Sequence, residues 1–218
     1  MSDRVLYWIS GSTPSWRVML AFTLKGLTFS SRRLDHSAGE NKRPAYLALN
    51  PKGQVPTLID GDIVLRESMA ILAWLDRAYP QRPIWGSDAT TSARVWQHVM
   101  LMEVDLNPAI QTAARSLLQG RSIPHRTVEV LLSGADTLAN TLKERRFLGG
   151  DTAMANDIWL YPALHWIARG ADVSADAPDS VLRLTHDRPA LAQWMDRMTA
   201  LPGVADTYPP HWRKKHDA

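Results

Sequence analysis

Cysteine is absent from this chain of 218 residues, and its absence excludes several kinds of chemistry. There can be no disulfide, no thiolate metal site and no cysteine nucleophile, so any thiol chemistry must use a thiol from outside the chain. The histidines are scattered, and none forms a His-x-x-x-His pair or a similar ligand pair. The sequence also lacks a G-x-G-x-x-G, a phosphate loop and a G-x-S-x-G. We therefore expect no metal site.

Long apolar runs and a strong net charge are also missing. A membrane span needs about 20 apolar residues, whereas the richest stretch, IWLYPALHWIA, is interrupted by Pro162 and His165. The net charge of +3 is too small to indicate nucleic-acid binding, and we expect the basic cluster Arg213 to Lys215 to be a solvated end. The start, MSDRVLYWIS, lacks the basic and apolar regions of a signal peptide. We expect a folded, cytoplasmic protein with no membrane and no nucleic-acid partner.

The first 80 residues alternate between strand and helix patterns. The predicted elements are a strand over 5–9, a helix from 14, a weaker strand over 29–34, a hairpin over 57–65 and a helix from 68. A stretch rich in Pro, Gly and small polar residues follows at 81–89 and is typical of a linker. Beyond it the patterns are helical, at about 90–118, 124–145, 155–168 and 189–201. The sequence predicts a small α/β domain followed by an all-helical one.

The stretch NPKGQVPTL, Asn50 to Leu58, places a proline directly before a strand of the hairpin. Proline cannot donate a ladder hydrogen bond, and the simpler interpretation is a trans proline at the first strand position. A β-α-β layout plus hairpin with Val-Pro at this point resembles thioredoxin-like domains, in which this proline is cis. The resemblance implies a cis Val55-Pro56 bond, with the Val55 backbone groups free to pair with a peptide ligand.

A second stretch, SGSTPS from Ser10 to Ser15, puts four hydroxyl residues around the start of the first helix. Thr13 followed by Pro14 fits an N-cap followed by the first helical residue. That assignment leaves Ser12 at the turn, free to face a ligand, while Ser15 bonds locally. The N–H groups and dipole of such a helix start favour an anion. The alternative is that all four hydroxyls are turn and cap residues.

Three blocks, SWRVMLAFTLKGL, ALNPKGQVPTL and ESMAILAWLDRAYP, are similar to blocks of cytosolic glutathione transferases, in the same order and spacing. The resemblance covers almost the whole chain. It implies a thioredoxin-like glutathione-binding domain over 1–80, a linker over 81–89 and a helical domain over 90–218 that contributes the electrophile pocket. Glutathione would be the co-substrate, the second substrate a small electrophile, and the assembly a cytoplasmic homodimer that serves detoxification.

The same resemblance implies the site residues. Ser12 aligns with the catalytic serine, and Thr13 is the alternative contact to the sulfur. The remaining residues implied to bind glutathione are Lys52, Gln54, Val55, Pro56, Glu67 and Ser68. At the γ-glutamyl end, Ser68 at a helix start offers its hydroxyl and N–H groups to a carboxylate, while Glu67 takes the ammonium; the simpler interpretation makes them a cap and a first-turn acid. The electrophile pocket would include Trp96, Met100, Glu103 and Asn107, and His36 is a further candidate for glutathione.

Two departures from the family pattern stand out. The zeta class, the maleylacetoacetate isomerases, has a cysteine before the Ser-Trp-Arg-Val that this chain shares, but Pro14 occupies that position. In GGDTAMANDIWLYP, Met154 stands where the family has a capping Ser or Thr, so we expect Thr152 or Asn156 to substitute, with a shifted helix start.

We interpret the chain as a serine-type glutathione transferase. The alternatives are a glutathione-dependent isomerase or dehalogenase on the same site, and a non-catalytic binding protein of the same fold.

Overall fold

The computed structural model describes residues 4–212, so the predicted solvated cluster at 213–215 lies outside the described residues. Four strands form one mixed sheet. They are β1 (Arg4–Trp8), β2 (Ser30–Arg33), β3 (Thr57–Asp60) and β4 (Ile63–Arg66), in the order β2-β1-β3-β4. β1 pairs in parallel with β2 and antiparallel with β3, which pairs antiparallel with β4. The β-α-β unit plus hairpin predicted from the sequence is confirmed.

Nine α-helices occur within the described residues. They are α1 (Thr13–Lys25), α2 (Pro44–Leu49), α3 (Ser68–Ala78), α4 (Ala89–Leu101), α5 (Asn107–Leu118), α6 (His125–Lys143), α7 (Ala155–Val173), α8 (Asp179–Leu182) and α9 (Pro189–Thr199). The thioredoxin-like domain followed by an all-helical domain is therefore confirmed. None of the helices within residues 4–212 is long and apolar enough to cross a membrane.

The chain divides into two compact units, and one of them is discontinuous in sequence. Among the described residues, the first contains residues 4–84 together with 202–212, and the second runs from Trp85 to Leu201. This division differs from the expected domains at 1–80 and 90–218, because the segment after α9 returns to the unit that carries the sheet.

In the first unit, the fully buried Lys25 at the end of α1 bonds to Asp76 of α3 at 3.0 Å. Its ammonium also donates to the carbonyls of Gln81 and Arg82, at 3.2 and 3.1 Å. Asp76 in turn accepts from the N–H of Ile84 at 2.8 Å. Lys25 therefore anchors the segment that follows α3.

In the second unit, the region predicted as one helix over 90–118 contains a π-helical turn, Met102–Leu106, between α4 and α5. The N–H of Asn107 bonds to the carbonyl of Met102, five residues back. Pro108 lacks an N–H and its ring crowds the preceding turn of a regular α-helix, so the widened turn accommodates it.

Helix α7 lies at the centre of the second unit, with every residue from Ala155 to Leu164 buried. The expected shift of its start is wrong, because α7 begins directly after Met154. Asn156 does substitute for the missing cap, since its Oδ1 accepts from the N–H of Asp157 at 3.1 Å. The carboxylate of Asp157 accepts from the N–H of Met154 at 3.0 Å, which supplies the other half of the capping box.

Candidate functional site

Strand register brings three sequence stretches to one edge of the sheet. Tyr7 near the end of β1 faces Thr57 at the start of β3, and Thr57 faces Arg66 at the end of β4. The residues after β1, before β3 and after β4 therefore leave the sheet at the same edge. These residues are the Ser10–Ser15 stretch, the Gln54–Pro56 stretch and the Glu67–Ser68 pair, so the topology gathers the predicted glutathione residues on one side of the first unit.

Ser12, and not Thr13, is the N-cap of α1, so the capping role predicted for Thr13 is wrong. The Ser12 Oγ accepts from the N–H of Ser15 at 3.3 Å and from the Ser15 hydroxyl at 3.1 Å. Thr13 and Pro14 are then the first two helical residues, and proline is as acceptable at the second as at the first because neither N–H has an intrahelical acceptor. The local bonding predicted for Ser15 is confirmed.

The capping role leaves the Ser12 proton available. A serine hydroxyl has one donor and two acceptor sites, and both bonds to Ser15 use acceptor sites. Its O–H can therefore still donate to a ligand. Pro14 has no N–H and the N–H of Ser15 is used, so Thr13 supplies the remaining backbone donor of this first turn.

The Val55-Pro56 bond is cis, as predicted. Two side chains hold the loop before this bond. The Gln54 carbonyl accepts from the hydroxyl of Tyr46, in α2, at 2.6 Å, and from Nδ2 of Asn50, the residue after α2, at 2.8 Å. Burial raises the pKa of Tyr46, so its hydroxyl stays protonated and keeps donating. Within residues 4–212, Val55 makes no backbone–backbone hydrogen bond, and the Gln54 side chain is exposed. The loop is thus fixed at the Gln54 carbonyl, while the Gln54 side chain and the Val55 backbone groups lie outside these bonds.

Glu67 has a backbone φ of 64°, in the region that side chains other than glycine seldom adopt. It precedes α3, and within residues 4–212 its side chain makes no cap bond to the first N–H groups of that helix. Ser68, the first helical residue, is 7% exposed. The Glu67 carboxylate instead bonds to the Lys52 ammonium at 2.8 Å. Strained backbone, an uncapped helix and a buried hydroxyl at one point are typical of a binding site rather than of a plain helix start.

The four residues predicted for the electrophile pocket separate into two pairs in the second unit. Trp96 and Met100 are 37% and 48% exposed, and the Trp96 ring stacks on Trp85 with centroids 3.8 Å apart. Glu103 accepts from Asn107 Nδ2 at 2.7 Å and from the indole N–H of Trp159 at 2.7 Å. Glu103 and Asn107 are thus engaged within the helical unit, whereas Trp96 and Met100 present apolar surface.

Comparison with known proteins agrees with this geometry. Residues 11–78 match the family model for the glutathione S-transferase N-terminal domain, and residues 124–197 match that for the glutathione S-transferase C-terminal domain. A maleylacetoacetate isomerase of Pseudomonas aeruginosa is 32% identical over 187 residues, covering 82% of this chain and 88% of the relative. The chain belongs to the glutathione S-transferase family.

Further relatives of this transferase agree on fold and on zeta-like similarity. A zeta-class glutathione S-transferase of Euphorbia esula is 29% identical over 199 residues, 88% of each chain. The crystal structure of a glutathione S-transferase from the Antarctic clam Laternula elliptica is similar with a TM-score of 0.79 and 28% identity, covering 97% of this chain and 94% of that one. The chain is a glutathione transferase, and glutathione is its co-substrate.

Two contacts near the start of α1 in this transferase involve residues far along the chain that no sequence pattern predicts. Ser10 Oγ is hydrogen-bonded to Nδ1 of His211 at 2.8 Å, and the indole N–H of Trp16 donates to Thr207 at 2.7 Å. No local sequence pattern predicts either contact, because the two residues of each pair are 201 and 191 positions apart in the chain. The candidate His36 lies exposed in the turn after β2, where its carbonyl accepts from Gly39 at 3.1 Å.

Proposed function

We propose that this transferase stabilises glutathione as its thiolate with the Ser12 hydroxyl, and that the thiolate then attacks a small electrophile. The observation that carries the proposal is the double acceptor role of the Ser12 Oγ, which leaves its proton to be donated. A hydrogen bond from a hydroxyl to a thiolate is charge-assisted and stronger than the same bond to a thiol. The Thr13 contribution is its backbone N–H at the positive end of the α1 dipole.

The reaction follows from the ionisation of the bound thiol. The proton leaves the glutathione sulfur for solvent, and the thiolate sulfur forms a bond to an electrophilic carbon. In a substitution the leaving group departs with the electron pair of the bond that breaks; in an addition the π pair moves to the neighbouring atom, which takes up a proton from solvent. The Ser12 hydroxyl holds the sulfur in its anionic form before attack. We propose that Gln54 and the Val55 backbone hold the glycine and cysteinyl parts beside it, with Pro56 shaping the loop, while Glu67 and Ser68 hold the γ-glutamyl end.

The test is an ultraviolet titration of the thiolate band in the glutathione complex. Ser12→Gly removes the hydroxyl, and glycine is nearly as good an N-cap as serine, so the helix start is preserved. We expect the pKa of the bound thiol to rise by about one to two units, since one charge-assisted bond is worth about 1.5–3 kcal/mol. Thr13→Ala, the matched control, keeps its backbone N–H and should leave the titration unmoved. An unchanged titration for Ser12→Gly would contradict the proposal.

A zeta-like isomerase is the second candidate, and the identity of 32% to the Pseudomonas aeruginosa maleylacetoacetate isomerase favours it. Isomerisation would begin with the same thiolate adding to a double-bond carbon; rotation about the resulting single bond and expulsion of the thiolate would return glutathione unchanged. Assays with chlorodinitrobenzene and with maleylacetoacetate distinguish the two reactions, because only the first consumes glutathione.

We also propose that the transferase is a homodimer that acts in the cytoplasm, where glutathione is kept reduced, and that its conjugation serves detoxification. Support for an interface comes from Leu101 and Val104, one turn apart and 52% and 63% exposed, because paired exposed apolar side chains are typical of protein contacts. Val104→Glu should shift the wild-type dimer to monomer in analytical ultracentrifugation. Leu182→Glu, at a residue 49% exposed on α8, is the control.

A further inference from the structure

The segment after α9 lies against the start of α1. The two belong to the same compact unit, although the whole of the Trp85–Leu201 unit lies between them in sequence. The indole N–H of Trp16 donates to the Thr207 hydroxyl at 2.7 Å. The Trp16 ring also packs edge-to-face against Tyr208 and Trp212, with centroids 5.5 and 5.9 Å away. Trp16 is 2% exposed, so this contact is a firm anchor for the segment.

A second contact reaches the two residues directly before Ser12. Ser10 Oγ and Nδ1 of His211 are hydrogen-bonded at 2.8 Å. A Cβ on Gly11 would lie 3.0 Å from Cε1 of His211 and 3.1 Å from Nε1 of Trp212, and Gly11 has a φ of +82°. The turn from β1 into α1 is therefore covered by the side chains of residues 211 and 212, which leave little space for a side chain at position 11.

The orientation of the Ser12 hydroxyl depends on this turn. Ser12 is held on one side by its bonds to Ser15, and its N–H bonds to the carbonyl of Ile9 at 3.1 Å. Ser10 and Gly11 lie between Ile9 and Ser12 and set the path of the backbone there. Displacement of a catalytic group by about 1 Å can reduce a rate on the order of 100-fold, so a side chain that holds the turn also controls the reaction.

We propose that His211 is a positioning residue for the sulfur donor and acts through Ser10. It fixes the Ser10–Gly11 turn so that the Ser12 hydroxyl is aimed at the bound sulfur, and it does not contribute to glutathione affinity. The inference rests on the proposed role of Ser12. It goes beyond that role because it gives the segment after α9 a part in the ionisation of the thiol.

The experiment compares His211→Ala with the conservative His211→Asn, whose side-chain amide can place a polar atom close to the position of Nδ1. For His211→Ala we expect kcat to fall about three- to tenfold, the scale of one lost hydrogen bond. The pKa of the bound thiol should rise, while KM for glutathione stays within about twofold. His211→Asn should recover most of kcat. Ser10→Ala removes the same bond but leaves the imidazole over Gly11, so it should raise the thiol pKa without exceeding the effect of His211→Ala, and the double variant should be no worse than His211→Ala alone.

The controls separate this inference from the proposed function. His125→Ala, on the exposed start of α6, should leave all three measurements unchanged. If His211→Ala lowers the melting temperature but leaves kcat and the thiol pKa unmoved, His211 is only structural and the inference is wrong. Failure of His211→Asn to recover kcat would exclude the hydrogen bond as the route. If Ser12→Gly itself leaves the thiol pKa unmoved, the proposed function fails, and the role of His211 fails with it.

Discussion

The Lys52 ammonium lies 2.8 Å from the Glu67 carboxylate, at the point where the γ-glutamyl ammonium of glutathione is expected to bind. Both side chains are about two-thirds exposed, at 67% and 66%. An exposed pair of this kind contributes only about 0–1 kcal/mol. A ligand ammonium that also gains contacts with the Ser68 region can therefore replace Lys52 on Glu67 at small cost.

The first prediction compares the two members of this pair. Glu67→Gln should weaken glutathione binding about 10- to 100-fold, because it removes the charged acceptor of the ligand ammonium. Lys52→Gln should change the affinity by less than about fivefold, since the exposed pair is worth little. Isothermal titration calorimetry measures both.

Ser68→Ala is the companion variant at the same end of the ligand, with an expected loss of about 1–3 kcal/mol for a hydrogen bond to a charged group. Cysteinylglycine, which lacks the γ-glutamyl unit, should bind wild type, Glu67→Gln and Ser68→Ala almost equally. A larger effect of Lys52→Gln than of Glu67→Gln would reverse the assignment of the ammonium site.

The second prediction concerns the start of α1. Ser12→Ala should lower the free energy of unfolding by about 1 kcal/mol, because it removes the N-cap. Thr13→Ala should change it by less than about 0.5 kcal/mol, as expected for a residue away from a cap or core contact. Urea denaturation of both variants tests the order. An equal or larger loss of unfolding free energy for Thr13→Ala would contradict the assignment of Ser12 as the N-cap.

The third prediction is a pH dependence of stability in the helical unit. Burial lowers the pKa of His165 from 6.5 to about 4. Between these two values the unfolded chain binds a proton that the folded chain does not, so stability should fall as the pH is lowered through this window. The full shift corresponds to an upper figure of roughly 3 kcal/mol. His98 adds to the same trend, because burial, and then the charge of Arg145, lowers its pKa.

Melting temperatures of wild type and His165→Gln between pH 7.5 and 4.5 provide the measurement. The variant should lose less stability on acidification than the wild type, because the group that binds the proton only when unfolded is gone. His125→Gln, at an exposed position, should follow the wild type. Parallel curves for wild type and His165→Gln would show that His165 does not contribute.

The fourth prediction concerns the buried pair of Lys25 and Asp76, whose side chains are 0% and 11% exposed. Lys25→Met leaves a buried carboxylate without its cation, and breaking such a pair costs about 3–5 kcal/mol. Lys25→Met combined with Asp76→Asn should cost less than Lys25→Met alone, because no charge is then left uncompensated. Urea denaturation decides between them. A double variant less stable than the single one would mean that Asp76 stabilises the first unit by itself.

The placement of the candidate site residues in the fold could be predicted from the sequence wherever those residues follow one another in a short stretch. Pro56, Glu67 and Ser68 sit beside strand and helix signals that place them at one edge of the sheet. Which of Ser12 and Thr13 is the N-cap is harder to predict, because both precede a proline that fits either of the first two helical positions. Only the bonds of Ser12 to Ser15 decide between them.

Other features depend on contacts that a linear pattern does not contain. The π turn at Met102–Leu106 follows from fitting Pro108 into a helix whose apolar spacing looks continuous. The bond of Ser10 to His211 joins residues 201 positions apart, and an exposed histidine near the end of a chain carries no local signal of a partner. Short stretches of sequence therefore predict where the candidate site residues lie, whereas the contacts that support them depend on residues far away in the chain.

The return of the chain to its first unit has a consequence for synthesis. The residues that surround Trp16, from Thr207 to Trp212, leave the ribosome only after the whole of the Trp85–Leu201 unit. During translation the sheet and α1 can form early, but the indole N–H of Trp16 cannot bond to Thr207 until the last segment has been synthesised. A chain that stops at Ile84 lacks Thr207, Tyr208 and Trp212, and would leave the Trp16 ring without the contacts that cover it.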